Sequence, residues 1–304
     1  MQSQTEKSVL VTGGTGFVGV PLCRELNRQG YRVTVLSRSP ERARALLGEG
    51  VTCVGDWPVE DVHAVINLAG EPLASRRWTR ARKAEFRRSR IGTTEDLRRH
   101  CGERGQFPAV LINGSAVGYY GNAGEAPVDE QSPSGTGFAA ELCRDWEAEA
   151  MAFAEQGTRV CTVRTGIVLG RDGGALKSML LPFRLGLGGR LGNGRQWMSW
   201  IHRDDLVGLI LWALENAELE GPINGTAPHP VTNRAFTRAL GKAVNRPAIF
   251  PVPAFALRLL MGELADELLL ASQRVLPKVA ESNGYEFRYP WLPDALADVV
   301  KKNG

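Results

Sequence analysis

No uninterrupted apolar stretch of this sequence is long enough to span a bilayer, and residues 1 to 8 are polar, without the apolar core or cleavage signal of a secretory leader. A cytoplasmic protein with no membrane partner is the expectation. Cysteine is scarce: five residues, at 23, 53, 101, 143 and 161, are odd in number and widely separated. That pattern excludes a disulfide framework and a CxxC metal site, and predicts reduced, mostly buried thiols. The four histidines, at 63, 100, 202 and 229, are just as scattered, so no metal site is expected. Charge of one sign is lacking too. With 37 basic against 33 acidic residues, a net +4 suits an anionic ligand but gives no case for nucleic acid. No internal repeat or low-complexity tract is visible. What is left, 43% hydrophobic and 23% charged over 304 residues, describes an ordinary globular chain of one large domain or two unequal ones.

The rest of the chain is organised around one stretch, the apolar Val9-Leu10-Val11 entering Thr12-Gly13-Gly14-Thr15-Gly16-Phe17-Val18-Gly19. Leu22, Cys23 and Leu26 follow at helical spacing, so the stretch reads strand, turn, helix. In a dinucleotide fold the first glycine makes the tight turn, the next admits a pyrophosphate close to backbone, and the third packs helix on strand. Phosphates then rest on the helix N-terminus, where unpaired N–H groups and the helix dipole favour anions. Gly13, Thr15, Gly16, Phe17, Val18 and Gly19 are the candidate cofactor residues of this turn.

Arg32 to Leu36 is a second strand, and it runs into Ser37-Arg38. An acidic residue at this point would bind a ribose 2′-hydroxyl, whereas an arginine suits a 2′-phosphate, so the expected cofactor is NADP(H). Val51 to Gly55 and Ala64 to Gly70 read as further strands. The second of these ends in Leu68, Ala69 and Gly70, small or apolar residues that would lie beside the cofactor at the crevice-facing strand end. Eight basic residues lie between Ser75 and Arg90, and most read as a solvated helical face. Arg90 is the first choice among them for holding an anion.

Ala109 to Asn113 is a fifth strand, ending near Ser115, Tyr119 and Tyr120. A hydroxyl at a strand end followed by tyrosines is a place for proton transfer to a carbonyl, with packing of both rings in a loop as the alternative. A helix from Ala139 to about Glu155 and a strand from Arg159 to Arg164 follow. Glycines between 170 and 194 predict loops and short elements there. Asp204 or Asp205 is expected to cap the helix that begins after Trp200-Ile201-His202.

Together these pieces resemble the extended short-chain dehydrogenase/reductase superfamily, in the branch known as epimerase-family proteins with a C-terminal domain of unknown function. The resemblance rests on the glycine motif, Ser37-Arg38, Asn67 to Glu71, Trp78, Ser89-Arg90, Arg164 to Gly170, Trp200-Ile201-His202, and the tail Leu270 to Pro277 with Gly284-Tyr285. It implies an α/β fold: a doubly wound parallel Rossmann sheet with a smaller C-terminal α/β lobe. The Rossmann domain would take residues 1–170 with 200–228 returning to it, and the lobe 171–199 and 229–304. By position, Ser37 and Arg38 would hold the 2′-phosphate, Leu68 and Ala69 would line the adenosine side, Glu85 and Arg90 would reach the cofactor, and Val168 would lie in the nicotinamide loop.

The superfamily's Tyr-x-x-x-Lys signature has no counterpart. None of the five tyrosines is followed four residues later by lysine, and the motif's place is taken by Phe138 and Leu142. Phenylalanine cannot transfer a proton and leucine cannot tune a neighbour. The sequence therefore supports an atypical NADP(H)-dependent oxidoreductase on an unknown carbonyl or sugar-like substrate, with Ser115 and Tyr119 or Tyr120 in the catalytic role. A phenol without an adjacent ammonium titrates near about 10 and acts as a proton donor at neutral pH. The alternative is a non-catalytic NADPH-binding regulator. Either would be a monomer or homodimer.

Overall fold

The computed structural model describes residues 7–58, 60–171 and 173–300, so the first six and last four positions of the expected domains lie outside it. The chain runs through β1 (Ser8–Thr12), α1 (Gly19–Arg28), β2 (Arg32–Leu36), α2 (Pro40–Leu47), β3 (Val51–Val54), β4 (Ala64–Asn67), α3 (Arg80–Arg87), α4 (Thr93–Arg104), β5 (Val110–Ala116), β6 (Pro127–Val128), α5 (Phe138–Met151) and β7 (Arg159–Thr165). It continues through β8 (Ile167–Leu169), α6 (Gly174–Arg184), β9 (Trp197–Met198), β10 (Trp200–His202), α7 (Arg203–Glu215), β11 (Gly221–Gly225), β12 (Val231–Thr232), α8 (Asn233–Ala243), α9 (Ala254–Met261), β13 (Arg274–Val275), α10 (Lys278–Ser282) and α11 (Leu292–Val300).

Seven of these strands form one parallel sheet, in the order β11-β7-β5-β4-β1-β2-β3. A strand buried on both faces reads as a continuous apolar run, and β1 does so. Val9 and Val11 face a core shared with Leu22, Cys23 and Leu26 of α1 and Leu206 to Leu214 of α7, while Leu10 faces one shared with Leu97 of α4 and Phe153 after α5. The order reverses at β1, whose two neighbours are β2 and β4. The crevice at this switch point, outside the strand C-termini, is where open α/β sheets bind ligands.

After β8 the chain builds a second apolar cluster from α6, α8 and α11, with Leu176, Phe183, Phe236, Leu240 and Leu296 buried. The glycine-rich stretch expected as loops and short elements thus contains an eleven-residue helix, α6, despite Pro182 inside it. Leu176, Leu180 and Phe183 recur at helical spacing and bury one face against α8 and α11, and this tertiary burial outweighs the local breakers. β5 also runs three residues past its expected end, to Ala116, because β7 pairs with it along that length.

All five cysteines are free and buried. No helix among the described residues is long and apolar enough to cross a membrane, and no cluster of potential metal ligands is found among them.

Candidate functional site

The glycine turn is fixed by contacts that leave no room for side chains. Gly13 has φ +70°, and a Cβ there would stand 2.5 Å from the Leu68 carbonyl oxygen. A Cβ on Gly19 would stand 2.2 Å from the Gly13 oxygen, so the start of α1 presses directly on the turn. Gly16 and Thr15, in contrast, are exposed. No side chain caps the start of α1. Half-buried Val18 packs onto the main core. The Phe17 ring packs against the segment after β8: Cβ atoms on Gly170, Gly173 or Gly174 would each fall within 2.8 Å of it. The aromatic wedge thereby joins the glycine turn to the loop after β8, and half-buried Val168 sits on β8 beside Ile201.

Under the crevice a buried polar ladder ties the strand ends together. The Thr12 hydroxyl donates to Asn67 Oδ1, and Asn67 Nδ2 donates to Asn113 Oδ1 at 2.7 Å and to Thr94 Oγ1 at 2.9 Å. Trp146 Nε1 also donates to Thr94. Such a fully satisfied network rigidifies the floor on which Leu68, Ala69 and Gly70 sit.

Ser37 and Arg38 leave β2 side by side. The Ser37 hydroxyl accepts from the Ser39 N–H at 3.2 Å, while Arg38 is exposed and has no ion-pair or hydrogen-bond partner among the described residues. Arg90 lies on a wide π turn, Arg88–Gly92, that joins α3 to α4. π turns of this kind recur at functional sites. Its guanidinium packs on Trp146, with Gly70 against it, and donates to the Glu71 carbonyl at 3.0 Å. Nη1 is buried with no hydrogen-bond partner, and burial pulls the group below its ordinary pKa. Glu85 does not share this place. It pairs with Arg82 at 2.7 Å, and Arg82 also reaches Glu71 at 3.3 Å, so the carboxylate is engaged within α3.

Two of the three expected catalytic hydroxyls converge on one buried hub. Arg164 reaches Glu147 through Nε and Nη2, both at 2.8 Å. Ser115 Oγ donates to the same Glu147 at 2.6 Å, and Tyr120 Oη accepts from Arg164 Nη1 at 3.0 Å while donating to Asn224 at 2.7 Å. Ser115 and Tyr120 are 6% and 3% exposed. Burial pushes the Tyr120 phenol up to about 12, against the opposite pull of Arg164 and Asn224, which corrects the expectation of a value near 10. Tyr119 joins the hub through its ring and not its hydroxyl. Its ring lies over Arg164 at 3.5 Å and its hydroxyl has no protein partner among the described residues. Phe138 and Leu142 belong to an apolar cluster with Trp78 and Phe86, and Lys83 lies over the Phe138 ring at 4.7 Å.

Several site-shaping residues carried no signal by type alone. Glu147 falls on the buried stripe of α5 between Cys143 and Ala150, and a lone acid on an apolar stripe was the available clue. Glu130 accepts three backbone N–H bonds, from Asn224, Lys278 and Val279. The cap of α7 is neither Asp204 nor Asp205 but His202, whose Nδ1 accepts the Asp204 N–H at 3.1 Å. Asp205 is instead buried, receiving the N–H groups of Arg288 and Tyr289.

With this geometry in view, similarity to known proteins is extensive. The profile of the NAD dependent epimerase/dehydratase family matches residues 9–224, and a domain of unknown function, DUF1731, matches residues 252–299. The epimerase family protein SDR39U1 homolog, chloroplastic, of Arabidopsis thaliana is 42% identical over 99% of this chain and 88% of its own length. Epimerase family protein YfhF of Bacillus subtilis (strain 168) is 38% identical over 96% of this chain and 98% of its own. The crystal structure of human epimerase family protein SDR39U1 (isoform 2) with NADPH superposes with a TM-score of 0.87 at 38% identity, covering 96% of this chain and 99% of that one.

Proposed function

The chain belongs to the NAD dependent epimerase/dehydratase family, and on that premise we propose that it is an NADP(H)-dependent reductase of a carbonyl substrate. Arg38 carries the reading: an exposed guanidinium with no partner among the described residues stands just past the end of β2, beside the switch point, where a 2′-phosphate would give it charge-assisted hydrogen bonds. The human relative solved with NADPH supports the same choice. Residues 1–170 and 200–228 would hold the cofactor, and 171–199 with 229–304 would meet the substrate. Gly13 to Gly19 receive the pyrophosphate, Ser37 and Arg38 the 2′-phosphate, and Leu68 to Gly70 the adenosine. Arg90 offers its unpaired Nη1.

The bound cofactor supplies a hydride, which leaves the chain to orient the carbonyl and deliver a proton. Tyr119 is the hydroxyl for that task, because those of Ser115 and Tyr120 are held by Glu147, Asn224 and Arg164. Through the same hub, Ser115 and Tyr120 position the loop that carries Tyr119. A phenol unassisted by lysine donates a proton to a developing alkoxide more readily than it takes one up at neutral pH, so reduction is the favoured direction. Calorimetric titration with NADPH and NADH, followed by NADPH oxidation across a panel of carbonyl compounds, tests the reading. A preference for NADPH with turnover supports it.

A second reading, an NADPH-binding regulator without turnover, is favoured by the enclosure of Phe138 and Leu142 in an apolar cluster where a catalytic pair would otherwise stand. Tight NADPH binding without oxidation by any carbonyl would select it. We assign the protein to the cytoplasm, although the chloroplastic relative shows that compartment varies within the family.

A further inference from the structure

Arg274 is a guanidinium that the cofactor reading leaves unused. It lies on β13, whose neighbours are pinned on both sides. Gln273 Nε2 donates to the carbonyls of Val117 and Gly121, both at 3.0 Å, and so brackets Tyr119 and Tyr120. The Gln273 N–H donates to the Trp197 carbonyl and the Val275 N–H to Ser199 Oγ. Between these anchors the Arg274 guanidinium lies over the Trp197 indole at 4.6 Å.

Its Nε is buried without a hydrogen-bond acceptor, and none of its side-chain nitrogens has a partner among the described residues. Buried donors are nearly always satisfied, and an unsatisfied one calls for a ligand, ion or water. Three other arginines of this half of the molecule have carboxylates, Arg171 with Asp298, Arg195 with Glu125 and Arg258 with Asp266, and three more donate to backbone carbonyls, Arg190, Arg234 and Arg246. A guanidinium lying over an aromatic ring keeps its planar fork of donors, the geometry that suits a carboxylate or phosphate.

We propose that Arg274 and Trp197 bind an anionic group of the substrate, a carboxylate or phosphate, next to the loop that carries Tyr119. Resting on the reductase reading above, this makes the substrate an anionic carbonyl compound with an apolar portion beside the indole. Gln273 sets the spacing, because its side chain joins the strand that bears Arg274 to the loop on both sides of Tyr119.

The test is calorimetric titration of the NADP⁺-saturated protein with phenyl phosphate and, separately, with benzoate. Saturation fills the cofactor's own phosphate sites, so the probes report on a different place. At least one probe should bind, and Arg274→Ala should weaken it tenfold or more while leaving NADPH affinity unchanged. Phenyl phosphate binding alone identifies a phosphate site, and benzoate binding alone a carboxylate site. Arg274→Met keeps an apolar stem on Trp197 and serves if the alanine variant does not fold. Failure of both probes to bind, or undiminished binding by the variants, overturns the proposal. If NADP⁺ itself does not bind, the reductase reading falls, and the same titrations of the unloaded protein still decide the anion site.

Discussion

Glu147 and Arg164 meet in a two-pronged ion pair at the end of the sheet, with each carboxylate oxygen 2.8 Å from a different guanidinium nitrogen and both side chains nearly enclosed. Removing one partner of such a pair leaves the other's charge buried without compensation, at a cost of about 3–5 kcal/mol. Glu147→Ala should therefore lower unfolding free energy by that order in urea titration, and the Ser115 hydroxyl loses its acceptor as well. Replacing both partners together, Glu147→Leu with Arg164→Met, should cost clearly less. Equal losses in the single and double variants would show that the pair itself is not the source.

Among the described residues Arg38 has no structural partner to lose. Arg38→Ala should leave the melting temperature unchanged, weaken NADPH by on the order of tenfold or more, and leave NADH affinity unaltered. Parallel calorimetric titrations read both cofactors. Equal affinities for the two in the unaltered protein would remove the basis for an NADP(H) assignment.

The glycines of the first turn separate binding from folding. A Cβ at Gly16 meets only the Gly13 oxygen, at 3.1 Å, on an exposed stretch, whereas one at Gly19 falls 2.2 Å from the same oxygen. Gly16→Val should abolish cofactor binding with a melting profile near that of the parent. Gly19→Ala should destabilise the whole protein, because α1 cannot withdraw without uncovering Leu22 and Leu26. Retained binding by a folded Gly16→Val variant would move the pyrophosphate elsewhere.

For catalysis, Tyr119→Phe should lower kcat by roughly 10²-fold with NADPH affinity unchanged, the loss typical of a missing general acid. Ser115→Ala and Tyr120→Phe should act chiefly on stability, since each unsatisfies a buried partner. Once a substrate is found, steady-state kinetics alongside thermal melts distinguish the two effects. Full activity in Tyr119→Phe would rule the phenol out as donor.

His202 gives the stability a pH dependence. Burial lowers its pKa from the ordinary 6.5, outweighing the nearby carboxylates of Asp204, Asp205 and Asp298, and its unprotonated Nδ1 caps α7. Because the folded value lies below the unfolded one, its contribution is present above 6.5 and is lost as pH falls from there toward the folded value. His202→Asn keeps a capping oxygen without a titrating ring. Urea titrations from pH 7.5 down to 5 should show a shallower loss of stability for the variant, and parallel curves would contradict the assignment.

Much of the architecture is legible residue by residue. The run Val9 to Val11, the glycines and the spacing of Leu22, Cys23 and Leu26 encode strand, turn and helix because each depends on neighbours within a few positions. α6 was not legible, since the glycines around it and Pro182 within it speak against a helix and only the packing of Leu176, Leu180 and Phe183 overrides them. The cap of α7 was misread for a related reason. Aspartate is the commoner cap by type, but Asp205 is drawn into the interior by the backbone of Arg288 and Tyr289, 83 and 84 residues away.

By itself, then, the sequence determined the opening strand, turn and helix and most strands of the sheet, which follow from hydrophobic period and local turn chemistry; the family resemblance implied the doubly wound parallel sheet, and the strand pairing placed the switch point at β1. Tertiary structure alone decided which polar groups are spent and which are free. Tyr119 and Tyr120 are adjacent and chemically identical, yet Tyr120 is sealed by Asn224, 104 residues away, while the neighbouring hydroxyl has no partner among the described residues. Arg164 and Arg274 are the same residue type, but α5 brings Glu147 to the first and nothing to the second. No local pattern records such differences. They arise when chain closure sets a donor beside an acceptor or excludes water from it, and the reactivity of each group follows from that environment.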